Sequence, residues 1–356
     1  MTDKPGIFNF THDELIIRMR ELGQKAYRAR QVLDWLYHSR VADFDAMTNL
    51  PARLRARFKE AFSIELPKSI HEETSEDSSR KFLFQLEDGA AIETVLIPSD
   101  ERLTLCISAQ VGCKFGCTFC RTSMMGFKRN LTAGEIVGQL LAVERLTGER
   151  VDNIVVMGMG EPLDNLDNML RALDIFTHHE TLGLSPRRIT ISTAGIPEAI
   201  LLLKQKFPHV GLSVSLNAPI PELRAELMPI EKKHPASELI KAIRTVNPGP
   251  QDPVTIEYVL LKGINDSIND ASKLCDLVKG INNLKVNVIP FNPSRGVPYS
   301  RPGQDTVEQF QSAIRRRGVE CFMRKSAGRD ISAACGQLAV LDAEGKKKEP
   351  SVSKKT

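Results

Sequence analysis

The chain has 356 residues, of which 42% are hydrophobic and 26% are charged, with 48 lysines and arginines against 44 aspartates and glutamates. These values indicate a globular protein with one main domain and smaller additions, and they exclude wholesale disorder. No apolar run approaches the roughly 20 residues of a membrane span. The first residues lack a secretion signal, so we expect a cytoplasmic protein with no membrane partner. The net charge of +4 is too small to indicate nucleic-acid binding by itself.

The amino-terminal part of the chain is predicted to be helical over residues 1–62. Apolar side chains recur at helical spacing between positions 29 and 37, and a basic helix follows Pro51. The polar stretch 71–80 is predicted to be a linker. Segments 81–86 and 91–97 flank a turn signal, Glu87-Asp88-Gly89, and therefore predict a β-hairpin.

From position 103 onward, strand patterns alternate with helix patterns. The predicted strands are 103–108, 153–157, 188–192, 211–216, 254–260, 285–289 and 319–323. The predicted helices are 133–147, 165–177, 197–206, 236–246, 267–279 and 305–317. Thr132 and Glu135 form a capping-box pattern at the first helix. This alternation predicts an α/β fold with a parallel sheet, as a partial or full β/α barrel whose chemistry lies at the carboxyl ends of the strands.

These patterns divide the chain into four parts. They are a small helical accessory domain (1–62), a linker with a β-hairpin (63–100), the barrel (101–343) and a basic tail (344–356) that we expect to be disordered.

Seven cysteines are an odd number, and in a cytoplasmic chain they favour metal or thiol chemistry over a disulfide framework. Cys113, Cys117 and Cys120 form a Cys-x3-Cys-x2-Cys loop directly after the first barrel strand. Such spacing lets one loop wrap an iron–sulfur cluster and leaves one iron of a four-iron cluster open. The alternative is a zinc knuckle that lacks its fourth ligand. Cys275 and Cys321 have apolar neighbours and are predicted to be core residues.

Polar groups also follow other strands. Gly158-Met159-Gly160-Glu161-Pro162 combines glycines that permit close approach of a ligand with a carboxylate that accepts hydrogen bonds from an ammonium group. The remaining strand-end residues are Ser192, Ser215, Leu216, Asn217 and Asn292. Turn and cap chemistry is the alternative explanation for each of them.

The cysteine loop at the end of a first barrel strand resembles the radical S-adenosylmethionine (SAM) superfamily. Two further cysteines, Cys106 in the first strand and Cys335 near the carboxyl terminus, extend this resemblance to the bacterial ribosomal RNA adenine-C2 methyltransferases. The similarity covers nearly the whole chain and includes the segments 27–35, 93–98, 255–260 and 289–293.

The resemblance implies a [4Fe–4S] cluster held by Cys113, Cys117 and Cys120, with SAM bound near Gly160, Glu161 and the strand-end residues. Two SAM molecules are used per turnover. One methylates Cys335. The other is cleaved to a radical that activates the methyl group for addition to C2 of adenine.

Further roles follow from the same resemblance. Cys106 resolves the protein–RNA crosslink by forming a disulfide with Cys335, and Glu93 accepts the proton. The substrates are adenine 2503 of 23S ribosomal RNA and adenine 37 of some transfer RNAs. An electron donor such as flavodoxin and a monomeric state are also implied.

Two alternative functions are considered. A sister family methylates C8 and confers antibiotic resistance; it shares the key cysteines but carries Gly-Glu-Ala in place of Gly160-Glu161-Pro162, which favours C2 here. The other alternative is a non-catalytic, zinc-dependent RNA-binding module. The chain departs from some relatives at Asn217, where they have histidine, and we expect the amide to keep its place in cofactor binding.

Overall fold

The computed structural model describes residues 4–100, 102–246 and 248–340; the predicted tail 344–356 lies outside this range. The helices are α1 (His12–Glu21), α2 (Tyr27–Leu33), α3 (Ala52–Ala61), α4 (Arg121–Met124), α5 (Ala133–Thr147), α6 (Leu166–Thr177), α7 (Pro197–Lys206), α8 (Pro221–Leu227), α9 (Ala236–Val246), α10 (Ile268–Val278) and α11 (Gln304–Arg316). The strands are β1 (Lys68–Thr74), β2 (Arg80–Gln85), β3 (Ala91–Ser99), β4 (Arg102–Cys106), β5 (Gln110–Gly112), β6 (Phe127–Asn130), β7 (Asn153–Val156), β8 (Ile189–Thr193), β9 (Gly211–Ser215), β10 (Val254–Leu260), β11 (Leu284–Pro290) and β12 (Glu320–Met323). Short 3-10 turns lie at Ile7–Asn9, Phe44–Ala46, Pro186–Arg188 and Pro229–Lys232, and α2 continues into a π-helical turn at Asp34–His38.

Ten strands form one sheet in the order β1-β2-β3-β4-β7-β8-β9-β10-β11-β12. Strands β1 to β4 pair antiparallel, whereas β4 and the six strands that follow it in the sheet pair parallel. Within the described residues, the sheet ends at β1 on one side and at β12 on the other, so the barrel is partial. The predicted α/β barrel fold is therefore confirmed, in its open form.

The barrel elements form where their side-chain patterns predict them. β10 is buried at most positions because helices cover the outer face of the parallel sheet. The predicted capping box begins α5: Thr132 accepts from the Glu135 backbone, and the Glu135 side chain accepts from the Thr132 backbone. Cys275 and Cys321 are 4% and 2% exposed, which confirms them as core residues.

The structure contains elements that the sequence did not predict. The predicted linker 71–80 overlaps β1, whose polar side chains are largely exposed because this strand forms an edge of the sheet. The β5–β6 hairpin and helices α4 and α8 are too short for a hydrophobic period to reveal them.

The amino-terminal helices pack directly on the barrel and share its hydrophobic core. Asn9 accepts a 2.8 Å hydrogen bond from the Gly134 backbone at the start of α5. Arg171 of α6 donates to Glu14 of α1 at 2.7 Å, and Arg40 pairs with the buried Glu144. None of the described helices is both long and apolar enough to cross a membrane.

Candidate active site

An open cavity lies at the carboxyl ends of the parallel strands. Its walls include most of the residues that the sequence predicted for the site: Cys113, Cys117, Cys120, Gly160, Glu161, Ser192, Ser215, Asn217, Asn292 and Cys335. The fold thus gathers side chains that are far apart in sequence, because successive parallel strands deliver their ends to one edge of the sheet.

The three-cysteine loop connects β5 to α4 and is fixed by backbone contacts. The Cys113 N–H donates to Gly126 O at 3.1 Å, the Thr118 N–H to Leu227 O at 3.0 Å and the Arg121 N–H to Gly336 O at 2.8 Å. The loop starts at Gly112, which has a φ of +77°. A Cβ at that position would lie 1.7 Å from Gly126 O, so only glycine permits this close approach.

The thiols of this loop are half-buried and lie near each other. Burial raises the pKa of Cys113 to about 12, and burial with the neighbouring thiols raises the pKa of Cys117 further. A positive group bound beside Cys113 and Cys117 would favour their ionised forms. Three thiols leave a structural zinc ion without its fourth ligand, whereas three thiolates are enough to hold three irons of a four-iron cluster.

The Gly158–Pro162 element forms the wall beside the cluster loop. Gly160 has a φ of +94°, and a Cβ there would lie 2.4 Å from the Gln110 Cβ. Glu161 accepts from the Ala194 N–H at 2.7 Å and from the Leu163 N–H at 3.0 Å. Burial raises its pKa to about 7. Its carboxylate retains lone pairs for an ammonium group in the cavity.

The strand-end residues of β8, β9 and β11 differ in what they contribute. Ser192 and Ser215 line the cavity directly. The Asn217 Oδ1 accepts from the Val259 N–H at 2.8 Å, and its backbone has a φ of +59°, a conformation that asparagine tolerates. The Asn292 Nδ2 donates to the Ser326 Oγ at 2.9 Å and lies 3.5 Å from Cys335 O.

Leu216 is predicted to bind the cofactor, and the structure shows where its side chain lies. Its side chain is fully buried in the hydrophobic core and does not line the cavity. It follows β9, where alternate side chains point to opposite faces, so Ser215 faces the cavity and Leu216 does not. Its carbonyl accepts from the Arg224 Nε at 3.1 Å, which fixes the strand end.

Cys106 and Cys335 are free thiols that interact electrostatically with each other and with Arg324. Burial raises the pKa of Cys106 to about 12, and the Arg324 guanidinium opposes this shift. The pKa of Arg324 is raised, chiefly by Cys335. Arg324 also lines the cavity and lies 3.2 Å from the Met157 Sδ. The sequence did not single out Arg324, because an isolated arginine after a strand carries no motif.

Residues 326–340, here called the Cys335 segment, cross the cavity as an irregular chain. The Ala339 N–H donates to the Glu93 Oε2 at 2.7 Å, and Lys81 lies 3.5 Å from the Glu93 Oε1. Glu93 is 1% exposed and does not line the cavity, and the same holds for Cys106, which is 7% exposed. Burial raises the pKa of Glu93 to about 7, although Lys81 opposes the shift.

Two family models match the chain. The model described as the ribosomal RNA large subunit methyltransferase N-terminal domain matches residues 6–64, and that of the radical SAM superfamily matches residues 107–275.

Similar proteins cover nearly the full length. A relative from Akkermansia muciniphila, named "Probable dual-specificity RNA methyltransferase RlmN", is 43% identical over 95% of this chain and 96% of its own length. One from Thermotoga neapolitana with the same name is 44% identical over 93% of this chain and 96% of its own length. The crystal structure of a radical SAM methyltransferase from Sphaerobacter thermophilus superposes with a TM-score of 0.88 at 41% identity, covering 94% of this chain and 99% of that chain. The chain therefore belongs to the RlmN family of methyltransferases within the radical SAM superfamily.

Proposed function

We propose that this protein methylates C2 of an adenine in 23S ribosomal RNA, and of an adenine in some transfer RNAs, through a methyl group carried on Cys335. The observation that carries the proposal is the single cavity that contains the cysteine loop, the polar strand ends and Cys335. The Cys335 thiol is near enough to contribute to the raised pKa of Cys106, and this supports the proposal because the chemistry requires a second thiol. The names of the RlmN relatives support RNA as the substrate.

The cofactors of the superfamily are a [4Fe–4S] cluster and SAM, and the cavity residues fit them. Cys113, Cys117 and Cys120 would hold three irons and leave the fourth for the amino and carboxylate groups of SAM. Glu161 and the strand-end polar groups would hold the rest of that molecule. When bound, the cluster and SAM supply a carbon radical that abstracts hydrogen, which an unactivated aromatic C2 position needs because it offers no nucleophile to a methyl sulfonium.

Cys335 and Cys106 would carry out the remaining chemistry. The Cys335 sulfur takes the methyl group and loses its proton, and the half-buried Arg324 side chain lies in the wall of the same cavity. A bond from Cys335 through the methyl carbon to adenine is a thioether. Its carbon–sulfur bond breaks when the Cys106 thiolate attacks the Cys335 sulfur and forms a disulfide.

Glu93 is proposed as the group that accepts the proton from the adenine. A carboxyl with a pKa near 7 is suited to this role at neutral pH, because it is ionised in part and binds a proton readily. The pKa of Glu93 is raised chiefly because the carboxyl is buried behind the Cys335 segment.

The rest of the chain supports this activity. We propose that residues 1–62 are an accessory domain that contributes to RNA binding, joined through 63–100 to the barrel at 101–343. The protein is proposed to act in the cytoplasm as a monomer, with a small electron-transfer protein such as flavodoxin as its reductant.

Nucleoside analysis of separated ribosomal and transfer RNA tests the function. Deletion of the gene should remove 2-methyladenosine from the substrate RNA, and wild-type protein should restore it. Persistence of 2-methyladenosine in the deletion strain would refute the proposal. Appearance of 8-methyladenosine on expression would instead assign the C8 activity.

Anaerobic purification separates the enzyme from a zinc-binding module. We expect a brown protein that contains iron and sulfide, and replacement of Cys117 by alanine should remove most of the iron. A colourless protein that contains zinc would contradict both methyltransferase assignments.

A further inference from the structure

Lys81 of β2 is a buried lysine, 5% exposed, and the proposed reaction does not use it. Its Nζ donates to the Ile331 carbonyl at 2.6 Å. It also lies 3.4 Å from the Glu73 Oε1 and 3.5 Å from the Glu93 Oε1. Burial of an ammonium group is costly unless it is paired and hydrogen-bonded, so these three contacts fix the position of Lys81.

The contacts of Lys81 and Glu93 meet the Cys335 segment on both sides of its cysteine. Lys81 binds the carbonyl of Ile331, and Glu93 binds the N–H of Ala339. Each of these two residues lies four positions from Cys335. Lys81 and Glu93 are paired and lie on the adjacent strands β2 and β3. This pair therefore holds residues 331–339, here called the Cys335 loop, against the sheet at both ends.

The other polar contacts of the segment have different partners. Asp330 binds the Ser75 hydroxyl and the Glu76 backbone in the β1–β2 turn, at the start of the segment. The Gly336 and Leu338 carbonyls accept from residues at the beginning of α4, beside the cluster loop. Lys81 therefore contacts both the Cys335 segment, through Ile331, and Glu93 on the adjacent strand.

We propose that Lys81 is a positioning residue for Cys335: with Glu93 it forms a clamp that holds the Cys335 loop in the cavity. The inference rests on the proposed roles of Cys335 and Glu93. It extends them, because the Glu93 carboxylate is covered by Ala339 while the clamp is closed. The Ala339–Glu93 contact must open before Glu93 faces an adenine, so methylation of Cys335 and reaction with RNA use two positions of the same loop.

Amide hydrogen exchange on the anaerobically prepared, cluster-containing protein tests the clamp. Lys81→Met removes the ammonium and keeps an apolar stem of similar length. We expect exchange within 331–339 to accelerate about tenfold or more, since a charge-assisted buried contact is lost. Lys81→Arg should retain most of the protection.

Lys204→Met is the matched control. Lys204 also donates to backbone carbonyls, those of Pro208 and Val210, but it lies on α7 away from the segment. Its variant should leave exchange in 331–339 unchanged. Unchanged exchange in Lys81→Met, or an equal acceleration in Lys204→Met, would overturn the clamp. If Lys81→Met does not fold, Glu93→Leu replaces it, because leucine removes both the partner of Lys81 and the acceptor of the Ala339 N–H. Exchange within 331–339 at wild-type rates in Glu93→Leu would overturn the clamp equally.

A second readout separates positioning from a general loss of stability. The rate of SAM-dependent methylation of Cys335 without RNA, followed by mass spectrometry, should fall in Lys81→Met through kcat, with little change in the KM for SAM. A change in KM alone would contradict positioning. If the wild-type protein produces no methylated Cys335 while Lys81→Met still accelerates exchange, the proposed function fails and the clamp stands.

Discussion

Buried ionisable side chains surround the cavity, and each has partners that the fold provides. Arg224 is fully buried and donates to the carbonyls of Leu216 and Ala194 while it pairs with Glu231. Glu93 and Glu161 accept backbone N–H groups. Such groups are tolerated because they are hydrogen-bonded, yet their burial still shifts their protonation.

The raised pKa of Glu93 predicts a pH-dependent stability. The folded protein holds the Glu93 proton up to about pH 7, whereas the unfolded chain releases it near its ordinary value of 4.5. The folded state therefore binds more protons between these values, and the contribution of Glu93 to stability is lost as pH rises through this range. Relative to Glu93→Gln, the wild type should lose about 3 kcal/mol between pH 4.5 and 8.

Urea denaturation of the metal-free protein at several pH values measures this difference. Glu226→Gln, a change at an exposed position on α8, serves as the control and should unfold in parallel with the wild type at each pH. Parallel pH profiles for wild type and Glu93→Gln would show that the carboxyl titrates normally.

Cys106→Ala is predicted to stop the reaction after the crosslink forms. Without the second thiolate, the carbon–sulfur bond to Cys335 has no displacing group, so RNA should stay covalently attached. Denaturing gels of enzyme incubated with substrate RNA would show a shifted band. Cys275→Ala, which changes another buried cysteine, should release free methylated RNA; free RNA from Cys106→Ala as well would exclude the resolving role.

At the level of elements, the β5–β6 hairpin determines the path of the cluster loop. Gly112→Ala should reduce bound iron to less than half of wild type, because its Cβ would clash with Gly126 O and displace the backbone that leads into Cys113. Gly126→Ala is the matched control: it also has a positive φ, of +70°, but a Cβ there meets no atom within 4 Å. Iron and sulfide per chain give the readout. Equal iron contents in the two variants would argue against the clash.

The sequence predicted the long elements of the barrel because their hydrophobic periods are strong. Predicted strand 254–260 coincides with β10, and predicted helix 133–147 coincides with α5. β1 was not predicted because it is an edge strand with exposed polar side chains on both faces, so its sequence resembles that of a linker. Strand propensity and hydrophobic periodicity are properties of a local stretch of sequence. Neither property shows which segment pairs with β2.

The same limit applies to the site. Cys113 and Glu161 belong to local motifs with definite chemistry, so their place at the strand ends was predictable. Arg324 and Lys81 matter only through contacts with residues distant in sequence, Cys335 and Ile331. The motif that contains Leu216 did not show that its side chain lies in the core, because its neighbours in the motif are polar and side chains alternate between the two faces at a strand end.

For the whole molecule, the accessory helices and the barrel form one hydrophobic core. α5 is buried around most of its circumference, because the sheet covers one side and the Ile7–Asn9 turn covers the other. A chain that starts at residue 63 would expose this apolar surface. We therefore predict that it is insoluble or only loosely packed.

Soluble yield and the cooperativity of thermal unfolding test this dependence. The full chain provides the comparison and should unfold cooperatively. A soluble, cooperatively unfolding 63–356 fragment would show that the barrel is independent of the helices.

The open sheet also has a consequence for aggregation. A partial barrel leaves two edge strands, β1 and β12, whose free backbone groups are templates for pairing with other chains. β1 carries Lys68, Glu72 and Glu73, and such charges oppose a strand from a second molecule. β12 has only four residues, although Phe322 is 47% exposed there. Charge thus protects one edge of the described sheet and shortness protects the other, so removal of the β1 charges would favour self-association through β1.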